Sequence, residues 1–203
     1  MNLQTNISKL FWQLPLTYLG LISMRVPANA HQIGFGDQLL QPVTLFHCLL
    51  PLLAVGLLSR QQPRVQINGL VALTLGLGLT VGLSCKVYLD LSQSQLIFAP
   101  IIAVFAGSLV AIARPISEVI LYLLFVSLGI AIGANLSLET TDLIDFAQTL
   151  FAAFIGSITV LHVMATTAVP ASGDWHRVGL RVMGSWIFAC AIMVIALEVR
   201  MLT

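Results

Sequence analysis

The sequence predicts an all-α polytopic membrane protein: six mature transmembrane helices in one bundle, behind an N-terminal signal peptide or signal-anchor helix. Three observations carry this. First, 58% of the 203 residues are hydrophobic and only 8% are charged, with a mean hydropathy of +0.98, whereas a soluble domain carries roughly 25% charged residues. So little polar surface cannot solvate a globule of this size. Second, the apolar runs are continuous and about 17–25 residues long, the length that crosses a ~30 Å hydrocarbon layer. They do not alternate as the strands of a membrane barrel must. Third, the short connections between these runs carry helix breakers, Pro63, Pro115 and Pro170.

Taken in order, residues 1–30 hold Lys9, the apolar run Leu10 to Met24, and then Val26 to Ala30 (VPANA). A basic start, an apolar middle and an A-x-A ending are the anatomy of a secretory signal. The expected division is therefore 1–30 as signal peptide or anchor and 31–203 as one bundle domain, with cleavage after Ala30 left open. Six apolar stretches follow, at about 43–59, 66–88, 94–113, 116–136, 146–169 and 178–198. Short connections separate them, with Pro63, Pro115 and Pro170 as breakers. With the N-terminus inside, Lys9, Arg60, Arg64, Arg114, Arg177 and Arg181 fall on the cytoplasmic side, and Arg25, Lys86 and Arg200 fall opposite. That is a positive-inside bias. It places the chain in an inner or comparable energy-transducing membrane, with the mature N-terminus and the C-terminus on the non-cytoplasmic side.

Several functions are excluded or disfavoured. A net charge of +1 leaves no clustered basic footprint for nucleic acid. The three cysteines, Cys48, Cys85 and Cys190, have neither the number nor the spacing of a disulfide framework. No Ser-His-Asp order, phosphate loop or carboxylate pair occurs at a usable spacing, so the chain is not expected to be an enzyme. Gly78 with Gly82, and Gly129 with Gly133, have the four-residue spacing that lets membrane helices approach closely. Internal packing is the simpler use of both pairs, and a homo-oligomer face is the alternative. On this basis 66–88 and 116–136 are expected in the middle of the bundle.

The candidate site residues are few. His47 and Cys48 open the first mature span, and imidazole with thiolate suits ions such as Ni, Co, Cu or Zn. Adjacent helical residues diverge by about 100°, so one ion needs help from another helix. Gln41, six residues back, offers only a weak carbonyl. A polar residue inside a span is a functional hypothesis by default, but an interhelical hydrogen bond for His47 and simple filling for Cys48 account for them equally. His162 is expected roughly 15 Å deeper than His47, too far to share an ion, and Thr166 one turn on is a ready hydrogen-bond partner. His31 would gain a free α-amine on cleavage, with Asp37 nearby. His176, between Trp175 and Arg177, reads as an interfacial anchor. Glu118 stands in a first helical turn, where the helix dipole suits it, with a cytoplasmic-side gate as the other use.

The leader ending at Ala30, the stretch Gln41 to Leu58 (QPVTLFHCLLPLLAVGLL), Thr159 to His162 (TVLH) and Gly179 to Ile187 (GLRVMGSWI) together resemble the HupE/UreJ family of small membrane proteins. That family is associated with nickel or cobalt uptake. The resemblance implies a divalent metal permease with a ligand set of His47, Cys48 and His162. The departures are in the ligand rows. Where the family has a His followed after five residues by Asp-His, this chain has Gln41, His47 and Cys48. Where it has a His-rich row with a Glu, this chain has Leu128, Ile130, Ile132 and Asn135. Two classes of function follow: a divergent nickel or cobalt permease, or a non-transporting accessory subunit or assembly factor of a larger membrane complex. A continuous polar path between the helices would favour the first, and a centre filled with Leu and Ile the second.

Overall fold

In hydrocarbon every backbone polar group must be satisfied within the chain, which leaves helices as the economical solution for long apolar segments. The computed structural model describes residues 34–62, 69–89, 97–114, 116–138, 142–167 and 174–202. They form seven helices: α1 Phe35–Thr44, α2 Phe46–Gln61, α3 Gly69–Leu89, α4 Phe98–Ile112, α5 Glu118–Asn135, α6 Leu143–Thr167 and α7 Asp174–Leu202. There is no strand among the described residues. The leader, with His31, lies outside them.

Four helices are long and apolar enough to cross a membrane, over Gly69–Tyr88, Glu118–Asn135, Leu143–Thr166 and Val178–Arg200. These match four of the six expected spans. The other two differ. α4 has 15 residues, about 22 Å of helix, which is short of a ~30 Å layer. The first span, expected as one helix over 43–59, is broken: α1 and α2 meet at Leu45 with a bend of 71°. Leu45 is extended, with φ −79° and ψ 102°. Pro42 explains the weakness of the last turn of α1, because it has no N–H to give the Gln38 carbonyl. The Thr44 hydroxyl and the Leu45 N–H both close on the Gln41 carbonyl, at 3.2 and 3.1 Å. α2 then starts afresh, with Cys48 and Leu49 donating to the Leu45 carbonyl at 2.8 and 2.9 Å.

α2 is the axis of the bundle. It touches α1, α4, α5, α6 and α7, and Leu52, Ala54, Val55 and Leu58 along it are fully buried. The expectation that 66–88 and 116–136 sit in the middle is corrected in part. α5 is well covered, with 44% of its span buried, but α3 presents Leu70, Leu73, Leu77 and Val81 to the outside. Glycine marked close approach, which is not the same as a central position.

The close approach itself is between α3 and α5. A Cβ on Gly78 would run into the Val126 carbonyl, one on Gly82 into the Ile130 carbonyl, one on Gly129 into the Leu75 carbonyl and one on Gly133 into the Leu79 carbonyl. The contacts advance together along both helices, so α3 and α5 run parallel. The two glycine faces therefore lie against each other, and a homo-oligomer through either would require this pair to separate. α4 and α7 cross in the same manner, with Gly107 against the Gly184 carbonyl and Gly184 against the Ala111 N–H. α1 lies on α6 where Gly156 admits the Leu39 carbonyl. Gly129→Leu is therefore expected to destabilise the protein by about 3 kcal/mol, because the obstacle is backbone that cannot rotate away. Gly179→Ala, where nothing stands within 4 Å, should change little. Reversible unfolding in mixed micelles checks both.

Candidate functional site

Near the end of the bundle where α2 begins and α3, α5 and α7 finish, polar side chains from four helices gather. His47 stands in the first turn of α2, half-buried. Its ring lies beside the side chain of Asn135, the last residue of α5. The Asn135 amide nitrogen donates to the Ala131 carbonyl at 2.8 Å. His47 Nε2 is buried and has no hydrogen-bond partner among the described residues. Glu198, in the last turns of α7, is close enough for its charge to act on the ring.

Beside them the Lys86 ammonium of α3 donates to the Leu136 carbonyl at 2.6 Å. Leu136 is the C-cap of α5, where orphan carbonyls concentrate negative partial charge and a cation is stabilising. The parallel docking of α3 on α5 brings Lys86 level with that helix end. The result is a polar end of the bundle, with Lys86 on the cap of α5, Asn135 one residue earlier, and His47 near Asn135 and Glu198.

The other expected site residues fall differently. Cys48 points away from His47 into the core and is fully buried, so the adjacent pair diverges as the helical angle requires. Cys85 is partly exposed and Cys190 exposed. Gln41 keeps a buried Oε1 without a partner, as does Gln38, which the sequence did not single out. His162 is exposed on α6. Here the Thr166 hydroxyl donates to its backbone carbonyl at 2.7 Å. Gly56 packs on Leu161 and Met164, which puts His162 about nine residues of α2 below His47, or roughly 13 Å. His47, Cys48 and His162 therefore do not converge, and among the described residues no three of His, Cys, Asp and Glu gather around one point. Asp37 is exposed in the first turn of α1. Glu118 is exposed in the first turn of α5, after Ser117, whose hydroxyl caps the Ile120 N–H at 3.4 Å.

Comparison with family models, curated proteins and solved structures gives no match. The likeness to HupE/UreJ proteins rests on the residues quoted for it.

Lys86, Glu198 and Gln38 were missed. The first two carried a usable signal, since an ionisable group in the last turns of an apolar helix is a site hypothesis by default. Gln38 carried none, because the helix that buries it was not foreseen. A double-mutant cycle of His47→Ala with Asn135→Ala should show a coupling of about 1 kcal/mol in unfolding free energy, near the upper part of what side-chain hydrogen bonds between membrane helices deliver. Additive losses would mean that the two side chains stand independently.

Proposed function

We propose that the chain acts as a non-conducting accessory or assembly protein within a larger membrane complex. The observation that carries this reading is the filling of the bundle. Along the length of α2 and α5, Leu52, Val55, Leu121, Phe125, Leu128 and Ile132 are fully buried, with Leu128 and Ile132 occupying positions where the HupE/UreJ resemblance would call for ligands. Several hydroxyls within the spans are turned back on their own helices, Ser59 on Gly56, Thr80 on Gly76, Ser127 on Leu124 and Thr159 on Ile155, while Thr149 and Ser157 are buried in α6 without a partner among the described residues. A hydroxyl bonded in this way offers little to a passing ion. The groove between α3 and α6, lined by Gly76, Leu79, Thr80, Leu150, Phe151 and Phe154, is likewise apolar.

In this reading the polar work is done at the two ends of the bundle. The His47 end lies on the non-cytoplasmic side, in accord with the distribution of arginines, and both mature termini belong there too. The second reading, a HupE/UreJ-like nickel or cobalt permease, is favoured by His47 alone. Its ring lies beside Asn135 and its buried Nε2 has no partner among the described residues, and a polar neighbour of that kind is what orients a metal-binding histidine.

Elemental analysis of cells separates the two. The accessory reading expects Ni, Co and Cu contents to be the same in wild type, a deletion strain and the His47→Ala/Cys48→Ala/His162→Ala variant. A fall in one metal on deletion, restored by the wild-type gene and not by the triple variant, would replace it with the permease reading.

A further inference from the structure

The opposite end of the bundle carries a second polar assembly, around the end of α4. Gln61 at the end of α2 donates to the Val110 carbonyl at 3.0 Å, and Gln62 donates to the Arg114 carbonyl at 3.3 Å. Arg181 of α7 donates through Nε to the Ala111 carbonyl at 3.1 Å. The helix stops at Ala113, which takes the left-handed conformation with φ 54°. Two helices are thus locked to the end of a third, and the lock places three arginines around that end: Arg60 in the last turn of α2, Arg114 just past α4, and Arg181. Arg181 spends only Nε on the carbonyl, so its two terminal nitrogens remain for a ligand. Arg114 and Arg181 are exposed and Arg60 partly so. The sequence adds Arg64 and Arg177 in the adjoining segments, against Glu118 and Asp174 as acids at this end.

Just below Arg114 and Arg181, toward the membrane centre, Ile112 of α4 and Val182 and Met183 of α7 are exposed apolar side chains. Positive groups at the span boundary, directly above an apolar surface, match a molecule with an anionic head and hydrocarbon tails. We propose that this end holds an anionic glycerophospholipid, its phosphodiester bridged by Arg60, Arg114 and Arg181 and its acyl chains running down along Ile112, Val182 and Met183. Guanidinium forks suit phosphate oxygens, and basic pockets between spans are where acidic headgroups bind. This goes beyond the accessory reading and does not depend on it.

The test is native mass spectrometry of the full chain in detergent, titrated with dioleoylphosphatidylglycerol or dioleoylphosphatidylcholine. The expected result is one tightly bound phosphatidylglycerol, preferred over phosphatidylcholine, with a roughly fivefold loss of that preference for each arginine removed. Arg60→Gln/Arg114→Gln/Arg181→Gln should abolish it, and Arg200→Gln, at the other end, should not alter it. Should the triple variant fail to fold, Arg114→Gln alone serves, because its exposed side chain can be changed without disturbing the backbone carbonyl that Gln62 uses. Equal binding of the two lipids overturns the proposal, as does a preference that survives in the variants or falls equally in Arg200→Gln. Displacement of the lipid by millimolar inorganic phosphate would also overturn it, in favour of a small-anion site.

Discussion

Hydrocarbon gives apolar helices no reason to leave lipid for one another, since a leucine is as well solvated by acyl chains as by other leucines. What holds this bundle is close backbone approach, and the glycines where α3 meets α5 are its strongest expression. With no side chain between them, the two backbones come into van der Waals contact over two helical turns, which gathers many weak attractions into one interface. That contact also sets a register. Gly82 lies against the Ile130–Ala134 segment, and so Lys86, four residues later, reaches the Leu136 carbonyl at the end of α5. The position of Asn135, and through it the orientation of His47, follows from the same docking.

Side-chain hydrogen bonds in the spans divide by depth. In the middle they stay within a single helix, hydroxyl to the carbonyl three or four residues back. The ones that cross between helices lie at the ends and serve helix termini: Lys86 the end of α5, and Gln61, Gln62 and Arg181 the end of α4. Terminal carbonyls are the backbone groups a helix cannot satisfy for itself, so this is where a neighbour's donor does most. The exceptions are the buried oxygens without partners, among them Gln38, Gln41, Thr149 and Ser157. These four belong to α1 and to α6, the helix on which α1 lies, and Gln61 Oε1 at the end of α2 is a fifth. Leaving them unmet is costly, and most of that cost falls on the one element whose axis departs from the span it continues.

How much of this could be read beforehand depends on the kind of signal. The membrane class and four spans were legible because length and hydropathy survive in any single window. The glycine spacings were legible as close packing, though not which helix they faced, and they misplaced α3. A helix surrounded by lipid and apolar neighbours is hydrophobic on every side, so the sequence holds no periodicity to say which face is inside. Pro42 was visible, but α1 was hidden by polar residues, Asp37, Gln38 and Gln41, that made 34–42 look like a connection. The polar contacts at the ends were illegible for another reason: their partners lie some fifty to seventy residues apart, as Lys86 and Leu136 or Arg181 and Ala111 do. Asn135 came into view only through the family resemblance, and there as a missing ligand. The structure makes it the partner of His47.

The two polar assemblies are joined by α2. Its first turn carries His47 and its last carries Arg60 and Gln61, and almost everything between is buried leucine, alanine or valine against five other helices. Pro51 removes the backbone bond that the His47 carbonyl would have accepted, so the top of α2 is less firmly built than its lower half. The lower half is fixed to α4 through Gln61 and Gln62. A perturbation at the His47 end is therefore absorbed in the first turn and at the Leu45 break. One at the arginine end meets a helix already pinned to its neighbours. The His47 end, with an uncommitted ring nitrogen beside a bend, is the part of this fold best suited to respond to a partner, and the arginine end is the part best suited to hold the bundle in place at the membrane boundary.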